Sequence, residues 1–227
     1  MWIIGLTGAI GAGKSRVSAC FRQEGVPVHC SDRYIHFLLE NDHEVQHQIH
    51  SLWPEVFVNG QINRILLGDR VFSSPDGLNP LESFLYPKLV EDQKKFLQHH
   101  QFLKSPFVVL DVPLLLEVGL DAYCDSVVVV SASASLRKHR VVKRNGMTAR
   151  RLQAIECLQM KEGTRRKKAD FIIYTGLDKG NALKAVKQIL YFLSQQPPLK
   201  WQGIWPKNLH RRPHESRNCF RHRNNRA

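Results

Sequence analysis

"GLTGAIGAGKSRV", residues 5–17, follows the apolar run Trp2-Ile3-Ile4 and sets four glycines around one lysine, at the point where a buried strand should give way to a helix. Gly8 and the triplet Gly13-Lys14-Ser15 satisfy the spacing G-x-x-x-x-G-K-S/T of a phosphate-binding loop. The chemistry explains the composition. Backbone N–H groups can wrap a phosphate only where side chains do not obstruct, and glycine accepts the backbone angles this requires. A helix opening at Lys14 turns its positive dipole end toward the same anion. Lys14 is placed to reach the terminal phosphates, and the Ser15 hydroxyl to coordinate Mg²⁺.

The loop sets the register for the rest of the chain. Trp2 to Thr7 reads as a first buried strand, and Lys14 to about Glu24 as a helix stopped by Gly25 and Pro27. Val26 to His29 reads as a second strand leading into Ser31-Asp32. "FVVLDVPLLLE" (107–117), "SVVVVS" (126–131) and "FIIYT" (171–175) are continuous apolar runs suited to strands covered on both faces, the parallel-sheet pattern. Helical patterns follow, at about 133–145 and through Leu183, Val186, Ile189, Leu190 and Leu193. The fold predicted is α/β: a parallel five-stranded sheet flanked by helices, with ligands beyond the carboxyl ends of the strands. Residues 1–39, 106–136 and 169–196 form the predicted nucleotide-binding core. Residues 40–105 read as helical and turn-rich, an insertion, and from Pro197 onward the loss of periodicity predicts a disordered tail.

Composition narrows the classes. Of 227 residues 43% are apolar, a globular proportion, and no run nears the length of a membrane span. Five scattered cysteines form no close pair, so neither a zinc site nor a disulfide framework is suggested, and the chain reads as soluble and cytoplasmic. The net charge of +13 is concentrated in two places: residues 137–168 hold twelve Lys/Arg against two acidic residues, and residues 207–227 hold seven against one. The remainder is mildly acidic. Residues 137–168 suit a lid that closes over polyphosphate, excluding water and supplying arginines, with Arg140, Arg144 and Arg165 as candidates.

A GTPase would carry a guanine-reading Asn/Thr-Lys-x-Asp segment, and a transporter-type ATPase a signature motif and a longer core; the sequence has neither. A small kinase remains. Phosphoryl transfer asks for a metal ligand, a group to take the acceptor's proton, and cations around the moving phosphoryl. Asp32, past the second strand, suits the base, although Asp there also suits a helix cap. Asp111, closing the third strand, suits a Mg²⁺ ligand, direct or through water, or a turn residue before Pro113. In the tail, Trp201, Trp205 and Phe220 interleave with cations as stacking platforms do, which leaves an RNA-binding reading as a rival to a solvated tail.

These stretches together resemble the dephospho-coenzyme A kinases. The likeness runs through "GLTGAIGAGKS", "VPVHCSD", "FLYPKL" at 84–89, "DVPLLLE" at 111–117, "RKHRVVKRNGMT" at 137–148, and Gln159 followed by Ala169-Asp170. It implies ATP-dependent phosphorylation of the ribose 3′-hydroxyl of dephospho-coenzyme A, and a body of nucleotide core, helical acceptor-binding insertion and lid. By motif, Gly8, Gly11, Ala12, Gly13, Lys14, Ser15 and Arg16 would bind ATP, with Ser15 and Asp111 holding Mg²⁺. Thr7, Asp32 and Arg140 would line the transfer site, and Lys14, Asp32 and Arg140 would carry catalysis. Tyr86, Pro113, Leu114, Leu115 and Glu117 would lie along the acceptor's path. The implied partner is the small-molecule acceptor, with no membrane and a monomer favoured; another small-molecule or nucleoside monophosphate kinase is the alternative. Cys30, Arg16, Tyr86 and Tyr174-Thr175 depart from the residues usual at those places.

Overall fold

A computed structural model describes residues 1–72, 77–143, 147–176, 180–197 and 201–211, the side chain of Arg150 excepted. The chain begins β1 (Trp2–Gly8), α1 (Lys14–Gln23), β2 (Val28–Cys30) and α2 (Ser31–Asn41). It continues through α3 (His43–Leu52), a hairpin of β3 (Phe57–Val58) and β4 (Gln61–Ile62), α4 (Arg64–Val71) and the long α5 (Asn79–Phe102). The sheet resumes with β5 (Phe107–Asp111) and β6 (Ser126–Ser131). Three short helices, α6 (Ala134–Val142), α7 (Ala149–Leu158) and α8 (Glu162–Lys167), precede β7 (Phe171–Tyr174) and α9 (Asn181–Ser194).

The five long-range strands form one parallel sheet in the order β2-β5-β1-β6-β7. β1 is central and wholly buried, and its side chains divide by the strand's period of two. Trp2, Ile4 and Leu6 join Val17, Phe21, Val186 and Ile189 on the α1/α9 side. Ile3 joins Leu89, Leu97, Leu110 and Leu116 on the α5 side. Each such side chain taken from water contributes about 1.5–3 kcal/mol, so the central strand is where the sheet is most firmly held. A third apolar cluster, including Leu38, Val45, Ile49, Trp53, Leu67 and Leu85, gives the segment between β2 and β5 a core of its own.

Three expectations need correction. Between residues 40 and 105 the described helices are joined by one element not expected, the β3/β4 hairpin, whose turn carries positive φ at both Asn59 (51°) and Gly60 (76°), the geometry Asn-Gly is suited to. The second helix starts at Ser31, so Asp32 lies in its first turn and not at its cap, which Cys30 holds. The tail is not disordered from Pro197: in the described part, residues 201–211, Trp205 is 7% exposed and packs edge-on against Tyr123 at 5.6 Å, and Leu209 is buried. An apolar tryptophan face outweighs the charge around it. Trp205 is therefore not a free stacking platform, and Phe220 lies outside the described residues. Among the described residues no helix is long and apolar enough to cross a membrane.

Candidate active site

The carboxyl ends of β1, β2 and β5 open onto one cleft of about 590 Å³. Its floor is the loop from Gly8 to Ser15, one wall is Ser31, Asp32 and Ile35 of α2, and another is Leu81, Glu82, Leu85, Tyr86 and Leu89 of α5. Pro113 and Leu114 follow β5 along the edge, and Ile155, Leu158 and Gln159 of the α7 region roof it. The topology places it here because β1 lies between strands reached by opposite crossovers, the position where an open parallel sheet leaves a crevice.

The loop is held from outside. Gly11 and Gly13 have φ of 78° and 90°, angles that favour glycine, and a Cβ on Gly13 would sit 3.0 Å from Thr175 Oγ1. Thr175, just past β7, donates its hydroxyl to the carbonyl of Ala12. Arg140 donates to the carbonyl of Gly11 (3.2 Å), to Thr175 Oγ1 (3.0 Å) and to the Thr175 carbonyl (2.6 Å). On the other side the Ile10 N–H donates to Gln159 Oε1 at 3.0 Å. These contacts fix the loop carbonyls outward and leave N–H groups available to an anion.

Lys14 opens α1 and its ammonium forms an ion pair with Asp111, whose side chain is only 3% exposed. Ser15 follows at the cleft floor. Asp32 faces the same cleft from α2, so the loop cation and an acidic side chain are brought together from strand ends distant in sequence. Tyr86 donates its hydroxyl to Glu82 Oε1 at 2.8 Å, and burial pushes that phenol well above its ordinary range.

Of the residues expected here, Gly8, Gly11, Gly13, Lys14, Ser15, Asp32, Tyr86, Pro113 and Leu114 line the cleft. Ala12 is buried behind the loop, and Arg16 is exposed on the first turn of α1. The others are corrected. Thr7 is buried with its hydroxyl given to the Pro113 carbonyl at 3.0 Å, so it shapes the edge from behind. Leu115 is core, and Arg140 braces the loop from outside. Asp111 is buried behind the cleft lining and is paired with Lys14.

Arg165 and Glu117 are corrected together. Each is 1% exposed: Arg165 donates to the Met160 carbonyl (2.7 Å) and Glu162 (3.0 Å), and Glu117 Oε1 accepts from Met160 N–H (2.7 Å) with Arg165 Nη2 3.5 Å away. They pin α8 to the core. Arg144 lies outside the described residues. Removing one partner of a buried pair leaves the other uncompensated, so Arg165→Ala is expected to destabilise the protein by about 3–5 kcal/mol, read as a lower midpoint in urea denaturation. Arg165→Met with Glu117→Gln should recover most of that loss.

Glu82, Ile155, Leu158 and Leu209 went unread in the sequence, and Thr175 was noted only as a departure from the usual residue. Thr175 stood at the end of a strand, where a signal existed; the apolar roof residues looked like ordinary helix faces. Arg151 also went unread: from α7 it reaches the Ile65 carbonyl (3.3 Å) and Asp69 (3.2 Å), joining α7 to α4.

Comparison with known proteins identifies relatives of this arrangement. Residues 2–178 match the family model described as dephospho-CoA kinase. A dephospho-CoA kinase of Rhodopseudomonas palustris is 34% identical over 197 residues, covering 87% of this chain and 98% of that one. One from Bradyrhizobium diazoefficiens is 37% identical over 196 residues, covering 86% and 96%. A crystal structure from Thermus thermophilus superposes with a TM-score of 0.70 at 30% identity, covering 84% of this chain and 96% of that one.

Proposed function

The chain belongs to the dephospho-CoA kinase family, and on that premise we propose how its residues carry the reaction: the γ-phosphoryl group of ATP passes to the ribose 3′-hydroxyl of dephospho-coenzyme A, giving coenzyme A and ADP. The observation that carries this reading is the meeting of Lys14 and Asp32 in one cleft, between a phosphate loop and a largely apolar wall.

The triphosphate lies along the Gly8–Ser15 loop, its oxygens taking the loop N–H groups and the dipole end of α1. Lys14 turns from Asp111 to share its charge with the β- and γ-phosphates. Asp32 accepts the proton of the 3′-hydroxyl as its oxygen bonds to phosphorus and the bond to the β-phosphate oxygen breaks. Arg140, Thr175 and Gln159 are positioning residues that hold the loop in its bound shape. The basic segment 137–168 acts as the lid, with Ile155 and Leu158 keeping water off the transferring group.

The donor set suits Mg²⁺. Ser15 offers a hard oxygen at the loop's end, and the described residues hold no three-residue His/Cys/Asp/Glu cluster of the kind that cages a metal. That is the arrangement for an ion carried largely by phosphates and water. Ser15 would hold it directly and Asp111 through water, and the ion supplies charge neutralisation across the β- and γ-phosphates. The four described cysteines are free thiols, which supports a reducing compartment such as the cytoplasm.

An acceptor panel with Mg-ATP tests the reading. Dephospho-coenzyme A should be turned over far better than AMP or shikimate; equal turnover of all three, or none of the first, would overturn it.

A further inference from the structure

One residue of the α5 wall of the cleft comes from outside the phosphate loop, the insertion and the lid. Leu209, 4% exposed, lines that wall beside Leu81, Glu82, Leu85 and Tyr86. It comes from residues 201–211, and the family match ends at residue 178. The path of this segment is built rather than incidental. The Gln101 side chain donates to the Trp201 carbonyl at 2.9 Å, a turn at Gly203 (φ 75°) is closed by Trp201 Nε1 donating to the Ile204 carbonyl at 3.0 Å, and Trp205 is buried against Tyr123. Arg211 then donates through Nε to Glu82 Oε2 at 2.8 Å and through Nη2 to Asn79 Oδ1 at 2.9 Å.

The two anchors of this segment lie far apart on α5. From Gln101 back to Glu82 along α5 is about 28 Å at the helical rise of 1.5 Å per residue. The ten steps from Trp201 to Arg211 span at most about 33–36 Å when extended. The segment, turned at Gly203, therefore reaches from the Gln101 end of α5 to Glu82, and its tip is held at the cleft.

The chemistry at that tip is specific. The Glu82 carboxylate stands in a cleft wall, and the Tyr86 hydroxyl satisfies one of its oxygens. Burial holds its carboxyl above the ordinary value, against the pull of Tyr86 and Arg211. An acceptor bearing a pyrophosphate is repelled by an uncompensated carboxylate in its own site. We propose that residues 201–211 form an acceptor-site strap in which Leu209 supplies apolar wall and Arg211 is a positioning residue that neutralises Glu82, making this side of the cleft acceptable to a polyanionic acceptor. The proposal rests on the cleft being the acceptor site for dephospho-coenzyme A.

Steady-state kinetics with both substrates varied tests it. Arg211→Ala should raise KM for dephospho-coenzyme A by about 5- to 20-fold, the scale of one unmasked charge acting on a polyanion, with kcat and KM for ATP within about twofold. Adding Glu82→Gln to that variant should bring the acceptor KM back down at least about fivefold, since the charge needing a partner is gone. An unchanged acceptor KM, a rise that Glu82→Gln does not reverse, or an equal rise in both KM values would overturn the proposal. If the wild-type protein itself fails to phosphorylate dephospho-coenzyme A, the function reading falls and takes this one with it; a fully active wild type with an indifferent Arg211→Ala sinks the strap alone.

Discussion

Lys14→Ala should lose at least about 10³-fold in kcat, because the positioned cation nearest the transferring phosphates is removed from a site where electrostatic stabilisation is the main contribution to rate. The substitution has a second consequence that separates it from a simple loss of ligand. Asp111, 2% exposed, keeps its carboxylate but loses the ammonium that pairs with it. A stranded buried charge costs about 3–5 kcal/mol, and the lower figure applies here because Lys14 is itself 14% exposed. For a protein of this size that corresponds to a fall of roughly 6–12 °C in Tm. Lys14→Ala with Asp111→Asn should regain most of the melting temperature while transfer stays absent. Recovery of activity in the double variant would mean that Lys14 serves the fold and not the phosphates.

Asp32→Asn is the second large effect. The amide keeps the size and the hydrogen-bonding oxygen of the carboxylate but cannot take a proton, so kcat should fall by about 10²–10⁴-fold, the usual contribution of a positioned base. Asp32 reaches the cleft from α2, whereas the proposed nucleotide contacts come from the loop and α1, so the affinity for ATP should stay within about twofold. Because Asp32 also lies in the first turn of α2, losing its charge there removes about 0.3–1 kcal/mol of favourable dipole interaction. The stability change should therefore be small beside the rate change. A large drop in Tm with a modest rate effect would make Asp32 an element of the helix start and little more.

The two effects rest on parts of the molecule that were legible in unequal degree. The phosphate loop and its flanking strand and helix could be read directly, because each required residue type lies within a few positions of the next. β1, β5, β6 and β7 were equally plain, being apolar runs with no polar face. The hairpin at Phe57–Ile62 was not read, although Asn59-Gly60 carries the turn chemistry for it, since two-residue strands give no alternation to count.

Charge misled more than apolar pattern did. Arg165 lies in a basic run that suggested a lid supplying arginines to polyphosphate, yet its guanidinium is buried among Glu117, Glu162 and the Met160 carbonyl. Its partners come from 3 to 48 positions away, so no local window reveals them. The tail misled in the same way: its cations suggested a solvated chain, while two of its apolar residues, Trp205 and Leu209, decide its course. Thr175 shows the converse case, a side chain different from the one expected after the last strand that nonetheless bonds the Ala12 carbonyl and receives Arg140. A hydroxyl suffices there because one group must both donate and accept.

A crystal structure of the protein with dephospho-coenzyme A and a non-hydrolysable ATP analogue would measure the central geometry directly. The account predicts the ribose 3′-oxygen within about 2.6–3.2 Å of an Asp32 carboxylate oxygen and in line with the γ-phosphorus held by the Gly8–Ser15 loop. A 3′-oxygen lying beyond reach of Asp32, with another group against it, would contradict the account.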